Sequence, residues 1–101
     1  MVYLNGNFIE KDKAYISIMD RGFLFGDGVY EVFPVYDNTV IGLEPHLNRL
    51  QDGLDAINIE NPHSKDEWIN LINKVVTLNN INSSQAIYLQ KIGRASCRER
   101  V

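Results

Sequence analysis

Short apolar segments that alternate with polar positions open the chain, and this two-residue period is typical of strands buried on one side. Val2-Tyr3-Leu4 and Asn7-Phe8-Ile9 flank the pair Asn5-Gly6. An Asn-Gly pair between two apolar runs indicates a two-residue hairpin turn. After the polar turn Lys11-Asp12-Lys13, residues 14–18 alternate in the same way. The sequence therefore predicts an opening hairpin followed by a short third extended segment.

Residues 29–36 predict a longer strand with two unlike faces. One face carries Val29, Glu31, Phe33 and Val35, and the other carries Tyr30, Val32, Pro34 and Tyr36. Pro34 has no amide donor, which indicates an edge position or a bulge. Residues 39–43 then predict the returning strand of a second hairpin, after a turn at Asp37-Asn38.

The hydrophobic period next changes from two residues to about 3.6. Residues 44–57 predict an amphipathic helix with Pro45 in its first turn, where proline is tolerated. Residues 64–67 (Ser-Lys-Asp-Glu) form a capping-box sequence that predicts the start of a second helix. The apolar stripes are Leu47, Leu50, Leu54 and Ile57 in the first helix and Trp68, Leu71, Ile72, Val75 and Val76 in the second.

Residues 86–90 return to a strand pattern. Strands, then two helices, then a further strand predict an α+β fold, in which an antiparallel sheet has two helices packed on one face.

Residues 20–32 read Asp-Arg-Gly-Phe-Leu-Phe-Gly-Asp-Gly-Val-Tyr-Glu-Val. Glycines and charges among aromatic residues are costly in backbone entropy and desolvation, which favours a specific built structure here. Together with residues 44–50 (Glu-Pro-His-Leu-Asn-Arg-Leu), this stretch resembles the opening of the class IV aminotransferases. These are the pyridoxal-phosphate enzymes of D-amino-acid and branched-chain transamination. The resemblance covers roughly residues 2–90 and is greatest to the D-amino-acid branch, which has tyrosine at the place of Tyr30.

The resemblance implies that residues 1–90 are the N-terminal small domain of a two-domain enzyme. The full-length enzyme would be a homodimer that uses pyridoxal 5'-phosphate to move an amino group between a D-amino acid, such as D-alanine, and a 2-oxo acid. Two alternatives stay open. One is a branched-chain aminotransferase or an aminodeoxychorismate lyase of the same fold, and the other is a non-catalytic α+β interaction module.

Arg49 is the arginine of the His-x-x-Arg-Leu motif, and the resemblance implies that it contacts the cofactor phosphate. A guanidinium can bind a phosphate through two parallel hydrogen bonds, although Arg49 taken alone also fits a surface arginine with its stem on the core. The resemblance further implies that Tyr30 and Val32 line the substrate pocket. The Tyr30 hydroxyl would bind the substrate carboxylate and Val32 would form apolar wall, whereas the residue alone also fits a buried core tyrosine.

The remaining charged residues of the motif predict mainly structural roles. Asp20, Arg21 and Asp27 lie in a turn, where carboxylates cap backbone amides and an arginine pairs with one of them. Glu31 faces away from Tyr30 and fits a structural ion pair. His46, one turn before Arg49, fits a support for the phosphate site, a subunit contact, or a capping or surface residue.

No catalytic residue is assigned within the chain. Transamination needs a lysine that forms an imine with the cofactor, and a carboxylate at the ring nitrogen. In the family, both groups lie in a later, larger domain, past residue 101. The lysines are expected in turns, on polar helix faces or at the tail junction, with no apolar setting: Lys11, Lys13, Lys65, Lys74 and Lys91.

Composition is that of an ordinary globular protein, with 45% hydrophobic and 23% charged residues. No apolar run approaches the roughly 20 residues of a membrane span, and no signal-peptide pattern opens the chain, so we expect a cytoplasmic protein without membrane contact. Residues 1–90 hold six basic and twelve acidic side chains, which argues against nucleic-acid binding. Cys97 is the single cysteine, so no cysteine-ligated metal site is expected.

Residues 91–101 differ from the rest of the chain. They hold four basic residues and one acidic residue and show no apolar period. We interpret them as a non-native tail, derived from vector or adapter sequence, although a native basic tail is the alternative.

Overall fold

A computed structural model describes residues 1–80 and 84–93, and this part of the chain forms two antiparallel sheets and two long helices. The strands are β1 Val2–Leu4, β2 Asn7–Ile9, β3 Gly28–Tyr36, β4 Thr39–Val40 and β5 Gln85–Ile92. The helices are α1 Arg21–Leu24, α2 Leu43–Ala56 and α3 Lys65–Leu78, and Lys11–Lys13 form one 3-10 turn.

The opening hairpin is confirmed. Strand β1 pairs antiparallel with β2, with Val2 opposite Ile9 and Leu4 opposite Asn7. The Tyr3 and Phe8 rings meet edge to face at 5.0 Å between centroids, and Lys74 of α3 places its ammonium 4.4 Å from the centre of the Phe8 ring. The hairpin is therefore tied to α3 by a cation–π contact.

The main sheet has the strand order β4-β3-β5, with both pairs antiparallel. Pairing between β3 and β5 runs from Gly28 opposite Ile92 to Val35 opposite Gln85. The expectation that Pro34 marks an edge strand or a bulge is wrong, because β3 is the central strand. The amide of Ile41 donates to the Pro34 carbonyl at 2.9 Å, so the missing Pro34 donor faces the end of the short β4, where one lost bond is tolerated.

Both long helices contribute to one core on one face of this sheet, which confirms the α+β prediction. The capping box at the start of α3 is also present, with Ser64 accepting from the Glu67 amide and Glu67 accepting from the Ser64 amide. The core consists of Phe33, Val35, Val40, Leu47, Leu50, Leu54, Trp68, Ile72, Val76 and Leu89. On the opposite face, which we call the outer face, the side chains of Tyr30, Tyr36 and Tyr88 are exposed.

Three segment predictions are corrected. Residues 14–18 do not form a strand; Ser17 begins a turn, accepting the Met19 amide on its side chain and the Asp20 amide on its carbonyl. Strand β4 ends at Val40 rather than residue 43, because Gly42 has a φ of 72° and begins α2. Helix α2 ends at Ala56, so Ile57 is exposed and not part of the apolar stripe.

Strand β5 is longer than predicted at both ends. It begins at Gln85 and continues past residue 90, with Lys91 opposite Val29 and Ile92 opposite Gly28. The first two residues of the expected tail are thus part of the sheet. Residues 94–101, including Cys97, lie outside the described residues.

Candidate functional site

Residues Tyr30 and Val32, predicted to bind substrate, share the outer face of β3, as their two-residue spacing requires. The Tyr30 side chain is 62% exposed and Val32 is 40% exposed. The alternative that Tyr30 is a buried core tyrosine is therefore wrong. Its hydroxyl lies at a surface where a ligand can reach it.

The glycine-rich stretch before β3 forms a single helical turn that is fixed by its own charges. The Asp20 side chain accepts the Gly22 amide at 2.8 Å, which caps α1. The Nε of Arg21 donates to Asp27 at 2.7 Å, and its guanidinium lies 4.6 Å from the centre of the Phe25 ring. The structural roles predicted for these charges are confirmed, and they hold the start of β3 in place.

Arg49 lies on α2 and contacts β3 from the other face of the sheet. Its Nε donates to Oε2 of Glu31 at 2.8 Å and its Nη2 donates to Oε1 at 2.9 Å. His46, three residues earlier on α2, places Nδ1 2.7 Å from the same Oε1. Glu31 is only 3% exposed, so a buried carboxylate binds two side chains from one face of the helix. The predicted ion pair of Glu31 is confirmed, and His46 supports the arginine through it.

A close approach between α2 and β3 makes this contact possible. A Cβ built on Gly53 would come within 2.9 Å of Cγ1 of Val29. Gly53 lies four residues after Arg49, so the two share one face of α2. Val29 lies two residues before Glu31, so these two share one face of β3. The absence of a side chain at Gly53 therefore lets the helix lie near enough for Arg49 to reach Glu31.

The electrostatics of the pair favour full charge on both partners. The hydrogen bond from Arg49 lowers the pKa of Glu31 and outweighs burial, which acts to raise it, while His46 adds a further lowering effect. Glu31 in turn raises the pKa of Arg49, and the Tyr30 phenol adds a smaller effect in the same direction.

Glu31 fixes the orientation of the Arg49 guanidinium by binding one of its edges. Arg49 remains 69% exposed although Nε and Nη2 both bind Glu31. An oxyanion would therefore bind at the edge formed by Nη1 and the second proton of Nη2. Sequence reasoning missed that Glu31 takes the bidentate contact, because the two residues are 18 positions apart and no local pattern links them.

Tyr88 and Gln90, on the outer face of β5, were also missed. The Tyr88 ring stacks on Tyr30 with 5.7 Å between centroids and 12° between planes. Its hydroxyl donates to Oε1 of Gln90 at 3.0 Å. The alternation of residues 86–90 was a usable signal for a shared face, but only the register of β5 against β3 brings these side chains beside Tyr30.

Lys91 departs from the sequence expectation. It lies within β5 and lines a shallow cavity of about 580 Å³, together with Ile57, Ile59 and Pro62 of the connection between α2 and α3. Its Nζ donates to the Ile92 carbonyl at 3.0 Å. The expected place of Lys91 at a tail junction is therefore wrong, because Lys91 lies within β5. The lining of the cavity also includes Arg21, Asp27 and Glu60, so the surroundings of Lys91 are mixed rather than apolar. Neither Tyr30, Val32 nor Arg49 lines this cavity.

The family profile for amino-transferase class IV matches residues 28–96. The chain belongs to this family. A D-alanine aminotransferase of Listeria monocytogenes is 39% identical over 89 residues, which are 88% of this chain and 30% of the relative. A putative branched-chain-amino-acid aminotransferase of Methanocaldococcus jannaschii is 36% identical over 83 residues, 82% of this chain and 29% of the relative. An aminodeoxychorismate lyase of Bacillus subtilis is 37% identical over 86 residues, 85% of this chain and 29% of the relative.

Solved structures support the same fold. A branched-chain aminotransferase of Thermoproteus uzoniensis matches with a TM-score of 0.78 and 21% identity, over 87% of this chain and 31% of that chain. A hypothetical aminotransferase of Mycobacterium tuberculosis in a PLP-bound form matches with a TM-score of 0.67 and 16% identity, over 94% of this chain and 40% of that chain. The chain thus spans about 30% of the length of the curated relatives that it matches. Within the described residues, no helix has the length and apolar character needed to cross a membrane.

Proposed function

We propose that this chain serves as the N-terminal small domain of a pyridoxal-phosphate-dependent transaminase that acts on a D-amino acid, such as D-alanine, and a 2-oxo acid. The observation that carries the proposal is that two adjacent residues of β3 have different surroundings on the two faces of the sheet. Glu31 fixes the exposed guanidinium of Arg49, and Tyr30, the residue before it, presents a phenol to solvent on the other face. The similarity to a D-alanine aminotransferase supports the choice of substrate.

The residues present fit a phosphorylated cofactor and a carboxylate substrate. Pyridoxal 5'-phosphate supplies an aldehyde and an electron-accepting ring when bound. In this proposal Arg49 binds the phosphate through its free edge, and Tyr30 donates a hydrogen bond to the substrate carboxylate. Val32, next along the same face, forms apolar wall for the substrate. The imine-forming lysine is not assigned to this chain, which we propose to be inactive by itself.

The full-length enzyme is proposed to be a cytoplasmic homodimer. The second candidate is a branched-chain aminotransferase or an aminodeoxychorismate lyase, since relatives named for both are nearly as similar as the D-alanine aminotransferase. The third reading, an interaction module without catalysis, has the exposed aromatic outer face in its favour.

The test is a pair of chimeras. In one, residues 1–90 replace the matching segment of the L. monocytogenes D-alanine aminotransferase, and in the other they replace the matching segment of the M. jannaschii relative. We expect the first to form pyruvate from D-alanine and 2-oxoglutarate, and the second to transaminate leucine poorly. High leucine turnover by the second with none by the first would favour the branched-chain alternative. Two folded but inactive chimeras, beside active parent enzymes, would refute the proposal.

A further inference from the structure

Three outer-face side chains form a connected series that ends at Tyr30. Register places Tyr30 opposite Gln90 and Val32 opposite Tyr88, so Tyr30 and Tyr88 are diagonal neighbours across the β3-β5 pair. Such neighbours are within reach when the side chains are aromatic. The two rings are nearly parallel, at 12° and 5.7 Å, and the Tyr88 hydroxyl donates to Gln90 at 3.0 Å.

The stack restrains a side chain that otherwise has little to hold it. Tyr30 is 62% exposed and Tyr88 is 61% exposed. Within the described part of the chain, the Tyr30 ring stacks on the ring of Tyr88. An exposed tyrosine on a strand samples several χ1 rotamers, and the strength of an aromatic pair corresponds to roughly a two- to tenfold bias toward one of them. A contact of this strength is enough to favour one rotamer of Tyr30 over the others.

The hydrogen bond to Gln90 fixes Tyr88 in turn. Gln90 lies two residues after Tyr88 and on the same face, so the bond runs along β5. The bond joins two residues of one strand, so it does not itself require the pairing of β5 with β3. The series Gln90, Tyr88, Tyr30 is thus formed on the outer face by the register of β5 against β3.

We infer that Tyr88 is a positioning residue for Tyr30, and that Gln90 acts through Tyr88, so that the phenol of Tyr30 is held ready for a substrate carboxylate. This inference rests on the proposed function of Tyr30. The competing reading is that the two rings only cover apolar sheet surface. The two readings differ in whether Tyr88 variants act on substrate binding through Tyr30.

The first experiment measures the geometry in the 101-residue chain itself. NMR scalar couplings report the χ1 rotamer of Tyr30, and cross-relaxation reports its contact with the Tyr88 ring. Tyr88→Leu should move the Tyr30 couplings to rotamer-averaged values, while Gln90→Leu and Tyr88→Phe should shift them partway and by the same amount. Tyr36→Leu, at the far end of β3 on the same face, is the control and should leave Tyr30 unchanged. Unaltered Tyr30 couplings in Tyr88→Leu would overturn the inference.

The second experiment measures function in the D-alanine aminotransferase chimera. Tyr88→Leu should raise the KM for D-alanine about three- to tenfold, with kcat and cofactor affinity unchanged. Tyr88→Phe and Gln90→Leu each remove the same hydrogen bond, so each should raise KM about two- to threefold and the double variant should be no worse than either. In a Tyr30→Phe background, the Tyr88→Leu effect should disappear.

The outcomes separate the two proposals. Independent, additive effects of Tyr88→Leu and Tyr30→Phe on KM would overturn the positioning role while leaving the proposed function intact. A Tyr30→Phe chimera with unchanged KM would remove Tyr30 from substrate binding, and the positioning role would fall with it. In that case, the NMR couplings would still show whether Tyr88 restrains the ring.

Discussion

Glu31 accepts two hydrogen bonds from Arg49, at 2.8 and 2.9 Å, across the contact between β3 and α2. The carboxylate is buried and the guanidinium is exposed, so Glu31 holds Arg49 from the inside while the other edge of the guanidinium faces solvent. Planar fork-to-carboxylate pairing restricts the direction in which the rest of the guanidinium points. An arginine oriented in this way loses less freedom when it binds an anion.

The first prediction concerns pH. The pKa of Glu31 is lowered in the folded chain from its ordinary value of 4.5, chiefly by the hydrogen bond from Arg49. Its contribution to stability is therefore fully present above about pH 4.5 and is lost as pH falls through the lowered folded value. Urea unfolding of wild type and Glu31→Gln should give a stability difference that shrinks as pH falls below about 4.5. Asp52→Asn, an exposed change on α2, is the control. A difference independent of pH would contradict the assignment.

A second prediction tests the close approach of α2 to β3. Gly53→Ala should crowd Val29 at a cost of about 1 to 3 kcal/mol in the free energy of unfolding, partly offset by the roughly 1 kcal/mol that alanine gains over glycine inside a helix. Val29→Ala in the same chain removes the side chain that the new Cβ would meet. Chemical denaturation should show the double variant to be more stable than the sum of the two single changes predicts. Simple additivity would mean that the two elements do not meet at this point in solution.

Arg49→Ala in the D-alanine aminotransferase chimera should weaken cofactor binding about tenfold or more, because the proposed role of Arg49 is a charge-assisted contact to the phosphate. Arg49→Lys keeps the charge but loses the planar guanidinium that pairs with Glu31. The cofactor affinity of this variant should therefore lie between those of the wild type and Arg49→Ala. Equilibrium dialysis of pyridoxal phosphate gives the dissociation constants. Asn48→Ala, the exposed neighbour, serves as control. An unchanged dissociation constant in Arg49→Ala would remove Arg49 from the phosphate site.

Tyr30→Phe deletes one hydroxyl and little volume. In the chimera it should raise the KM for D-alanine several-fold while the dissociation constant of the cofactor stays the same, because the proposed role of the Tyr30 hydroxyl is a hydrogen bond to the substrate. Steady-state kinetics and dialysis on the same preparation separate the two effects. A rise in both constants together would point to a role in shaping the whole site instead.

Local patterns predicted the features that depend on neighbouring residues. Asn5-Gly6 gave the first hairpin, and Ser64 with Glu67 gave the start of α3, because both signals act over two to four residues. Residues 14–18 were misread because alternation alone does not provide a pairing partner. Pro34 was misread because β4 is short. The strand stops at Val40, before the helix that Gly42 begins, so no full strand is left opposite Pro34 to require its missing amide donor.

The candidate site was less predictable from the residues than the fold. The outer-face position of Tyr30 and Val32 followed from the two-residue period, whereas their proposed task came from the resemblance to the family. The pairing of Glu31 with Arg49 and the stack of Tyr88 on Tyr30 join residues that are far apart in sequence. Such contacts depend on strand register and on how a helix lies on a sheet, which no local pattern encodes.

Pyruvate formation from D-alanine and 2-oxoglutarate, in the presence of pyridoxal phosphate, tests the central claim most directly. The 101-residue chain alone should show no turnover above the rate of free cofactor, because we propose that the imine-forming lysine belongs to a different domain. The chimera that carries residues 1–90 on the remainder of the L. monocytogenes enzyme should turn over well above that rate, and Arg49→Ala should reduce its turnover at limiting cofactor. Turnover by the chain alone would mean that the catalytic lysine has been misplaced, with Lys91 the first residue to replace. No turnover by a folded, cofactor-loaded chimera would contradict the assignment of this domain to D-amino-acid transamination.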